Sequence, residues 1–180
     1  LIKILFIWEG GMSFHGGLLG IIISVVLFSN KKKISSFYYL DIISVVAPIG
    51  LFLGRLANFI NGELYGKKTT VIWSVVFPKV DEATRHASQI YEALLEGLVL
   101  FIILNFLAFK KKLIFSVGTL SGLFLIFYSI FRIISEYFRE PDSQVGYIFL
   151  NLTMGQALSL IMFIFGIIIL IQKGFLCQKL

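Results

Sequence analysis

The sequence has few residues of the types that build metal centres or disulfide-linked folds. Its 180 residues include one cysteine, Cys177, and two histidines, His15 and His86. A single cysteine cannot form an internal disulfide, and it excludes a metal site with several cysteine ligands. The two histidines are far apart in the sequence, so a zinc site is not predicted.

Charged residues are also scarce, at 14% of the chain, whereas 58% of the residues are hydrophobic. A soluble domain of this length does not need so much apolar surface, so the composition predicts an integral membrane protein. With only three prolines and long apolar runs, the sequence favours helices over a barrel, whose strands would give alternating segments of about ten residues. The predicted fold class is therefore all-α, as a polytopic membrane protein.

Five apolar stretches are long enough, or nearly so, to cross a bilayer. They cover residues 12–28, 37–59, 89–109, 113–134 and 148–171. The long connection at 62–88 is predicted to lie on the outer face. Its β-branched and aromatic run at 69–78 indicates either a short β element or a segment lying at the membrane interface.

The net charge of +6 is concentrated in lysine clusters beside the apolar stretches. Triplets at 31–33 and 110–112 follow the first and third stretches, and Lys173 and Lys179 follow the fifth. This is the pattern of cytoplasmic loops, and it does not indicate nucleic-acid binding. Alternation then predicts a cytoplasmic C-terminus and places 60–88 and 138–147 on the outer face.

Unusual polar residues gather at the outer ends of four of these spans. Within each span they are three or four residues apart, which places them on one helix face. They are His15 in the first span, Arg55 and Asn58 in the second, Gln89, Glu92 and Glu96 in the third, and Arg132, Glu136 and Arg139 in the fourth. Ionisable groups at membrane depth are costly, so this convergence predicts a polar cavity that opens to the outer leaflet.

The residue types in this cavity suit an anionic phospholipid headgroup. Guanidinium groups pair with phosphate oxygens in a fork geometry, and glutamates can hold the arginines in place. A histidine can exchange a proton near neutral pH. Two simpler interpretations stay open: Arg55 alone could snorkel to the headgroups, and His15 alone could be a packed or capping residue.

Residues 54–66 match the signature Gly-Arg-x-x-Asn-Phe-Ile-Asn-x-Glu-x-x-Gly of the bacterial prolipoprotein diacylglyceryl transferases, and the chain resembles that family along nearly its whole length. Four further blocks agree with the family in the same order. They are residues 10–17, residues 85–92 with Ala87 in place of the usual proline, residues 138–142 and residues 154–156.

The resemblance implies transfer of the diacylglyceryl group of phosphatidylglycerol to the thiol of a lipobox cysteine in a prolipoprotein. The products are a thioether-linked lipid and glycerol phosphate, and no cofactor or metal is implied. The protein would be a multi-pass protein of the bacterial cytoplasmic (inner) membrane, with its active site toward the outer (periplasmic) leaflet.

The resemblance also implies roles for single residues. Arg55 and Arg132 would stabilise charge on the leaving phosphate, and His15 would deprotonate the acceptor thiol. Alternatively, the arginines alone would favour the thiolate, with His15 shaping the site. The residues expected to bind the headgroup or to support the site are Asn58, Asn61, Glu63, Glu92, Glu136 and Arg139.

Residues 1–180 are predicted to form a single transmembrane catalytic domain. Family members carry further spans before the region that this chain resembles, so we expect an N-terminal piece to be absent here. Two other functional classes are considered: an inactive fragment or degenerate membrane subunit, and a lipid or anion transporter. A transporter should have polar residues through the whole depth of the membrane, whereas the inner halves of these spans are apolar. A degenerate subunit should have lost polar residues of the family's sequence blocks, and this chain retains them.

Overall fold

The computed structural model describes residues 14–141 and 152–172, and these residues form five helices and one two-stranded sheet. We number the helices α1 (Phe14–Lys32), α2 (Ser36–Asn61), α3 (Ser88–Lys110), α4 (Thr119–Glu136) and α5 (Met154–Gln172). The antiparallel strands β1 (Val75–Val76) and β2 (Thr84–Arg85) lie in the loop between α2 and α3.

Within the described residues, the four helices α2 to α5 are long and apolar enough to cross a membrane. The helix α1 overlaps the first predicted span. The predicted all-α polytopic fold is thus confirmed, with a number of spans close to the five expected. The predicted β element in the loop at 62–88, which we name the outer loop after its predicted position, is also present, as the pair formed by β1 and β2. The part of the last predicted span at 148–151 lies outside the described residues.

Several polar side chains of α4 face the protein interior, while apolar side chains beside them face outward. Ser129 and Ser135 are completely buried, whereas Ile130 and Ile134 are exposed on the opposite side of the helix. A lipid environment favours this arrangement, because hydrocarbon solvates isoleucine and offers no partner to a hydroxyl or a charge.

The helix α3 departs from regular α geometry where it packs on α2. Residues Ala93–Val99 are π-helical, a rare conformation that is often found at functional sites. Gly97 lies in this segment, and a Cβ there would stand 2.6 Å from Cβ of Phe52 and 2.8 Å from its Cα. Only glycine permits this approach, which brings the backbone of α3 against the middle of α2.

The helices α4 and α5 meet at a pair of glycines. A Cβ on Gly166 would lie 2.8 Å from the carbonyl oxygen of Gly122, and one on Gly122 would lie 2.8 Å from Cδ2 of Leu170. Small residues at such crossings let helix backbones approach closely in a membrane.

Asp41 of α2 fixes the start of α4. Its Oδ2 accepts a hydrogen bond from the backbone N–H of Gly118 (2.6 Å), and its Oδ1 accepts from the N–H (2.7 Å) and the hydroxyl (2.6 Å) of Ser121. A carboxylate at a helix N-terminus satisfies free amides and complements the helix dipole. Because Gly118 adopts a left-handed φ of 90° just before this cap, the helix begins at Thr119, six residues later than predicted.

Arg85 holds the outer loop against the rest of the chain. It pairs with Asp81 through two nitrogens, at 3.2 and 2.7 Å, and Nη1 donates to the carbonyl oxygen of Gly66 at 3.1 Å. Nη1 also contacts Glu140 at 3.3 Å, and the guanidinium lies over the ring of Tyr65. One buried cation thus joins the end of the signature segment, the loop and the residues after α4.

Replacing Asp41 should destabilise the protein. Asp41→Leu leaves three donors without their acceptor, and the loss of a buried charged partner is worth about 2–4 kcal/mol. We expect a clearly lower thermal unfolding midpoint in detergent. Ser44→Ala is the matched control, because Ser44 is buried on the same helix and makes one local bond to the carbonyl of Leu40. Equal midpoints for the two variants would contradict the capping role.

The outer loop should loosen in acid. The hydrogen bonds from Arg85 lower the pKa of Asp81 below its ordinary value of 3.8. A carboxyl with a lowered folded-state pKa stabilises the fold above that ordinary value, and the contribution is lost as pH falls through the folded-state pKa. We expect amide hydrogen exchange of residues 66–86, corrected for intrinsic rates, to lose protection as the pH is lowered from 6 to 3.

Asp81→Asn separates the contribution of Asp81 from that of the other acidic partner of Arg85, Glu140. The variant should already show reduced protection at pH 6 and a smaller further loss in acid. An unchanged pH profile in Asp81→Asn would assign the effect to another group.

Candidate active site

Two buried glutamates of α3 form the centre of the candidate site. Glu92 and Glu96 are completely buried, one helical turn apart, near the end of α3 that follows the outer loop. Arginines from the C-terminal end of α2 and the C-terminal end of α4 converge on them. The consecutive helices α2, α3 and α4 run antiparallel to one another. The C-terminal ends of α2 and α4 therefore lie at the same end of the bundle as the N-terminal end of α3.

Arg55 of α2 contacts both glutamates. Its Nε lies 3.0 Å from Oε2 of Glu92, and its Nη2 lies 3.3 Å from Oε2 of Glu96. The side chain keeps 16% of its accessible surface, more than any other charged member of this group. Arg55 is therefore the arginine most open to a bound molecule.

Arg132 of α4 contacts the other oxygens of the same two glutamates. Its Nη1 lies 2.8 Å from Oε1 of Glu92 and 3.4 Å from Oε1 of Glu96, and its Nη2 lies 2.7 Å from Oε2 of Glu136. The hydroxyl of Ser135 donates to Oε1 of Glu96 at 3.0 Å. Each carboxylate of α3 thus bridges Arg55 and Arg132, and holds the two guanidinium groups side by side.

Arg139 extends this cluster beyond the end of α4. Its Nη1 lies 3.7 Å from Oε1 of Glu92. Gly66, the last residue of the signature segment, pairs with Arg139 in an isolated antiparallel bridge. A Cβ on Gly66 would collide with the carbonyl oxygen of His86 and stand 2.8 Å from that of Phe138. The absence of a side chain at Gly66 lets this strand-like contact place Arg139 beside Glu92.

Glu136 is held from its far side by the start of α5. A Cβ on Gly155 would lie 2.9 Å from each carboxylate oxygen of Glu136. Thr153 and Gln156 form a reciprocal cap at the N-terminus of α5, with backbone-to-side-chain bonds of 3.1 and 3.2 Å. The residues 154–156 therefore support the site through packing and through the position of α5.

The described charges of the site balance, with three arginines (Arg55, Arg132, Arg139) and three glutamates (Glu92, Glu96, Glu136) in mutual contact. Buried charges need such partners, and removal of one partner from a buried pair typically costs about 3–5 kcal/mol. Oε2 of Glu92 and Oε2 of Glu136 are close to guanidinium nitrogens without an aligned hydrogen bond. These pairs are therefore held by charge and not by aligned hydrogen bonds.

The residues from the signature segment fall into two groups. Arg55 joins the ion cluster, and the backbone carbonyl of Asn58 accepts from the N–H of Glu63 at 2.9 Å, which ends α2. The side chains of Asn61 and Glu63 are exposed, and among the described contacts neither joins the ion pairs of the cluster. The backbone carbonyl of Glu63 accepts from Nε2 of Gln89 at 2.6 Å, so this segment is attached to α3 beside the site.

His15 lies in the first turn of α1, and its side chain is outside the described residues. The structure therefore brings together Arg55, Glu92, Arg132, Glu136 and Arg139, with Asn58 close in sequence to Arg55, and it leaves the predicted role of His15 untested. No described contact places Asn61 in the cluster.

Two members of the cluster carry no assigned role in the sequence analysis. Glu96 faces the cavity in the predicted pattern, but its spacing does not reveal that it bridges the same arginines as Glu92. Ser135 gives no sequence signal at all, because a serine inside a membrane helix usually bonds to its own backbone. Ser135 does that as well, since its hydroxyl contacts the carbonyl of Arg132 at 3.1 Å.

Comparison with known proteins places this site in a family. The chain matches the family model described as prolipoprotein diacylglyceryl transferase over residues 1–172. It is 56% identical over 173 residues to the phosphatidylglycerol–prolipoprotein diacylglyceryl transferase of Rickettsia akari (strain Hartford), which covers 96% of this chain and 67% of the relative.

Other relatives carry the same name. The protein of Rickettsia bellii (strain OSU 85-389) is 55% identical, over 95% of this chain and 65% of its own length. The protein of Wolbachia sp. subsp. Brugia malayi (strain TRS) is 52% identical, over 93% of this chain and 64% of its own length. The chain thus spans about two thirds of the length of these relatives, and it belongs to the prolipoprotein diacylglyceryl transferase family.

Proposed function

We propose that the chain carries the arginine site of an enzyme that transfers the diacylglyceryl group of phosphatidylglycerol to the thiol of a prolipoprotein cysteine. The observation that carries this proposal is the pairing of Arg55 and Arg132, from two different spans, through shared buried glutamates. The names of the relatives, which state the lipid and the protein substrate, support it.

In this reaction the sulfur of the acceptor cysteine attacks the glyceryl carbon that bears the phosphate ester. The carbon–oxygen bond breaks, a carbon–sulfur thioether bond forms, and glycerol phosphate leaves with the bonding electrons. The thiol proton passes to a base and finally to the solvent or the leaving group. Negative charge therefore grows on the phosphate oxygens as the bond breaks.

Arg55 and Arg132 suit the stabilisation of this charge. Donors that are already oriented toward the position of a developing charge lower the barrier, because no reorganisation is needed during the reaction. Glu92 and Glu96 supply this orientation through contacts with Nε and Nη2 of Arg55 and with Nη1 of Arg132. The remaining donors of Arg55 can then bind phosphate oxygens, while Arg132 adds its charge beside them.

The acceptor thiol has to lose its proton, because only the thiolate is a good nucleophile and the reference pKa of cysteine is about 8.5. We assign His15 as the base, as its residue type and its place in the family's histidine block suggest. The alternative is that the arginine field lowers the thiol pKa unaided, while His15 shapes the site.

The proposed arrangement in the bacterial cytoplasmic membrane has the ion cluster toward the outer leaflet and the C-terminus in the cytoplasm. The lysines after α1 and in the last turns of α3 support this orientation, because they lie at the helix ends away from the cluster. The lipobox of the precursor, just after its apolar signal segment, would then meet the site at the membrane surface.

The direct test is lipid transfer in membranes that contain this chain, with and without the additional N-terminal region of its relatives. Labelled phosphatidylglycerol and a lipobox peptide are the substrates, and a peptide with serine in place of the cysteine is the control. Label on the cysteine with either form supports the proposal. Absence of label from both forms overturns it.

Lysine substitutions test whether fork geometry matters in the cluster. Arg55→Lys and Arg132→Lys keep the charge but cannot bind two phosphate oxygens in parallel, so we expect losses of about 100-fold or more in kcat/KM. Lys67→Arg is a matched control on the outer loop and should stay within about twofold. Near-normal transfer by both arginine variants would show that a point charge is sufficient.

Comparison of His15→Ala with Arg132→Ala separates the two accounts of thiol activation. If His15 is the base, His15→Ala should lose transfer near pH 7 and regain much of it as the pH approaches the thiol pKa, whereas Arg132→Ala should not recover. If the arginine field acts alone, His15→Ala should cost less than Arg132→Ala at every pH. The initial rate of transfer between pH 6 and 9 decides between them.

A further inference from the structure

We propose that Ser135 is a positioning residue for the transfer, because its hydroxyl bonds to Glu96 and loosens the contact of that carboxylate with Arg55. Ser135 lies on α4 between Arg132 and Glu136, and it is completely buried. The inference rests on the proposed function, since it concerns how readily a guanidinium of the cluster turns to the leaving phosphate.

Glu96 is the carboxylate that the arginines of the cluster hold least closely. Its described contacts with Arg55 and Arg132 measure 3.3 and 3.4 Å, whereas charge-assisted hydrogen bonds are typically about 2.7–2.9 Å long. Glu92 has a guanidinium nitrogen at 2.8 Å, and Glu136 has one at 2.7 Å. The shortest described contact of the Glu96 carboxylate is instead with the serine hydroxyl, at 3.0 Å.

Ser135 and Arg132 contact the same oxygen of Glu96. The hydroxyl oxygen lies 3.0 Å from Oε1, and Nη1 of Arg132 lies 3.4 Å from it. A carboxylate oxygen offers about two lone-pair directions, so the hydroxyl occupies one that a guanidinium N–H would otherwise use. Among the described residues, no other neutral side chain donates to this carboxylate. Without the hydroxyl, Coulomb attraction should draw Glu96 closer to the two guanidinium groups.

The hydroxyl of Ser135 has one proton and two acceptors within reach. They are Oε1 of Glu96 at 3.0 Å and the backbone carbonyl oxygen of Arg132 at 3.1 Å. A serine in a membrane helix commonly donates to a carbonyl of the preceding turn, and Ser129 does so to Leu125 at 2.6 Å. Hydrogen bonds to an ionised acceptor are stronger than those to a neutral one, so the proton of Ser135 is directed to Glu96.

Arg55 gains most from a loose contact with Glu96. Its Nε is held at 3.0 Å by Glu92, and its Nη2 is held at 3.3 Å by Glu96. A guanidinium that is held firmly at one nitrogen and loosely at another can respond to the growing charge of a phosphate without losing a strong ion pair. Such a response strengthens binding in the transition state above that in the lipid complex, which is the condition for a faster reaction.

The test measures lipid transfer by Ser135→Ala at varied phosphatidylglycerol, with the lipobox peptide at a fixed concentration. Tighter pairing of Glu96 with Arg55 should cost more in the transition state than in the lipid complex, because the charge on the phosphate grows as the bond breaks. We expect kcat to fall about 10-fold, the size of one hydrogen bond to a charged group, with KM for the lipid within about twofold of wild type.

Two further variants separate positioning from general stability. Ser135→Thr keeps a hydroxyl on the same carbon and should restore kcat to within about threefold of wild type. Ser129→Ala is the matched control, because Ser129 is completely buried on the same helix and its described bond is to its own helix backbone. Ser129→Ala should keep kcat within about twofold, although its thermal unfolding midpoint in detergent should lie within about 3 °C of that of Ser135→Ala.

Four results would overturn the proposal. An unchanged or raised kcat in Ser135→Ala would remove the positioning role, and a raised KM with unchanged kcat would replace it with a role in lipid binding. Equal losses in Ser135→Ala and Ser129→Ala would reduce the effect to the loss of any buried hydroxyl. A loss in Ser135→Thr as large as that in Ser135→Ala would show that side-chain volume decides.

Failure of the proposed function has a different signature. In that case the wild-type chain, with or without the additional N-terminal region of its relatives, transfers no label to the peptide, and the positioning role falls with the function. If wild type transfers lipid, the comparison of Ser135→Ala with Ser129→Ala alone decides the role of the hydroxyl.

Discussion

The shared use of two buried carboxylates by two arginines is the constraint on which the rest of the site depends. Glu92 and Glu96 cannot lie without partners inside the helical bundle, and Arg55 and Arg132 could not stand side by side without them. Each of these residues is therefore stable only because the other three are present. The cluster orders α2, α3 and α4 at one end of the bundle.

The packing of the bundle provides the positions that this network needs. Gly97 lets α3 approach α2, and Gly122 and Gly166 let α4 approach α5, so that side chains of normal length can meet across the helices. Asp41 sets the beginning of α4 at the opposite end, which fixes how far along the bundle Arg132 lies. The small residues at these crossings and the cap at the opposite end of the bundle thus set where the guanidinium and carboxylate groups lie relative to one another.

The sequence predicts the spans and the convergence of their charged ends, because apolar length and three-to-four spacing both follow from helix geometry. The spacing of one helical turn indicates that Glu136 meets Arg132, but the sequence does not indicate which arginines meet Glu92 and Glu96. Glu96 and Ser135 illustrate the limit, since their roles come from the π-helical turn of α3 and its closeness to α4, which depend on tertiary contacts. The start of α4 also differs from the prediction, because residues 113–115 are apolar enough for a span but form a short 3-10 turn before the glycine cap.

The outer loop connects the arginine site to the residues that follow α4. Its first residues follow the end of α2. Arg85 connects it to the residues after α4, and Trp73 near its tip forms a hydrogen bond with the first turn of α3. The same segment thus positions Arg139 beside Glu92, because Gly66 pairs with Arg139 in an antiparallel bridge. The ion cluster is therefore completed by the loop as well as by the helices, and a change in the loop can reach the cluster without altering a helix.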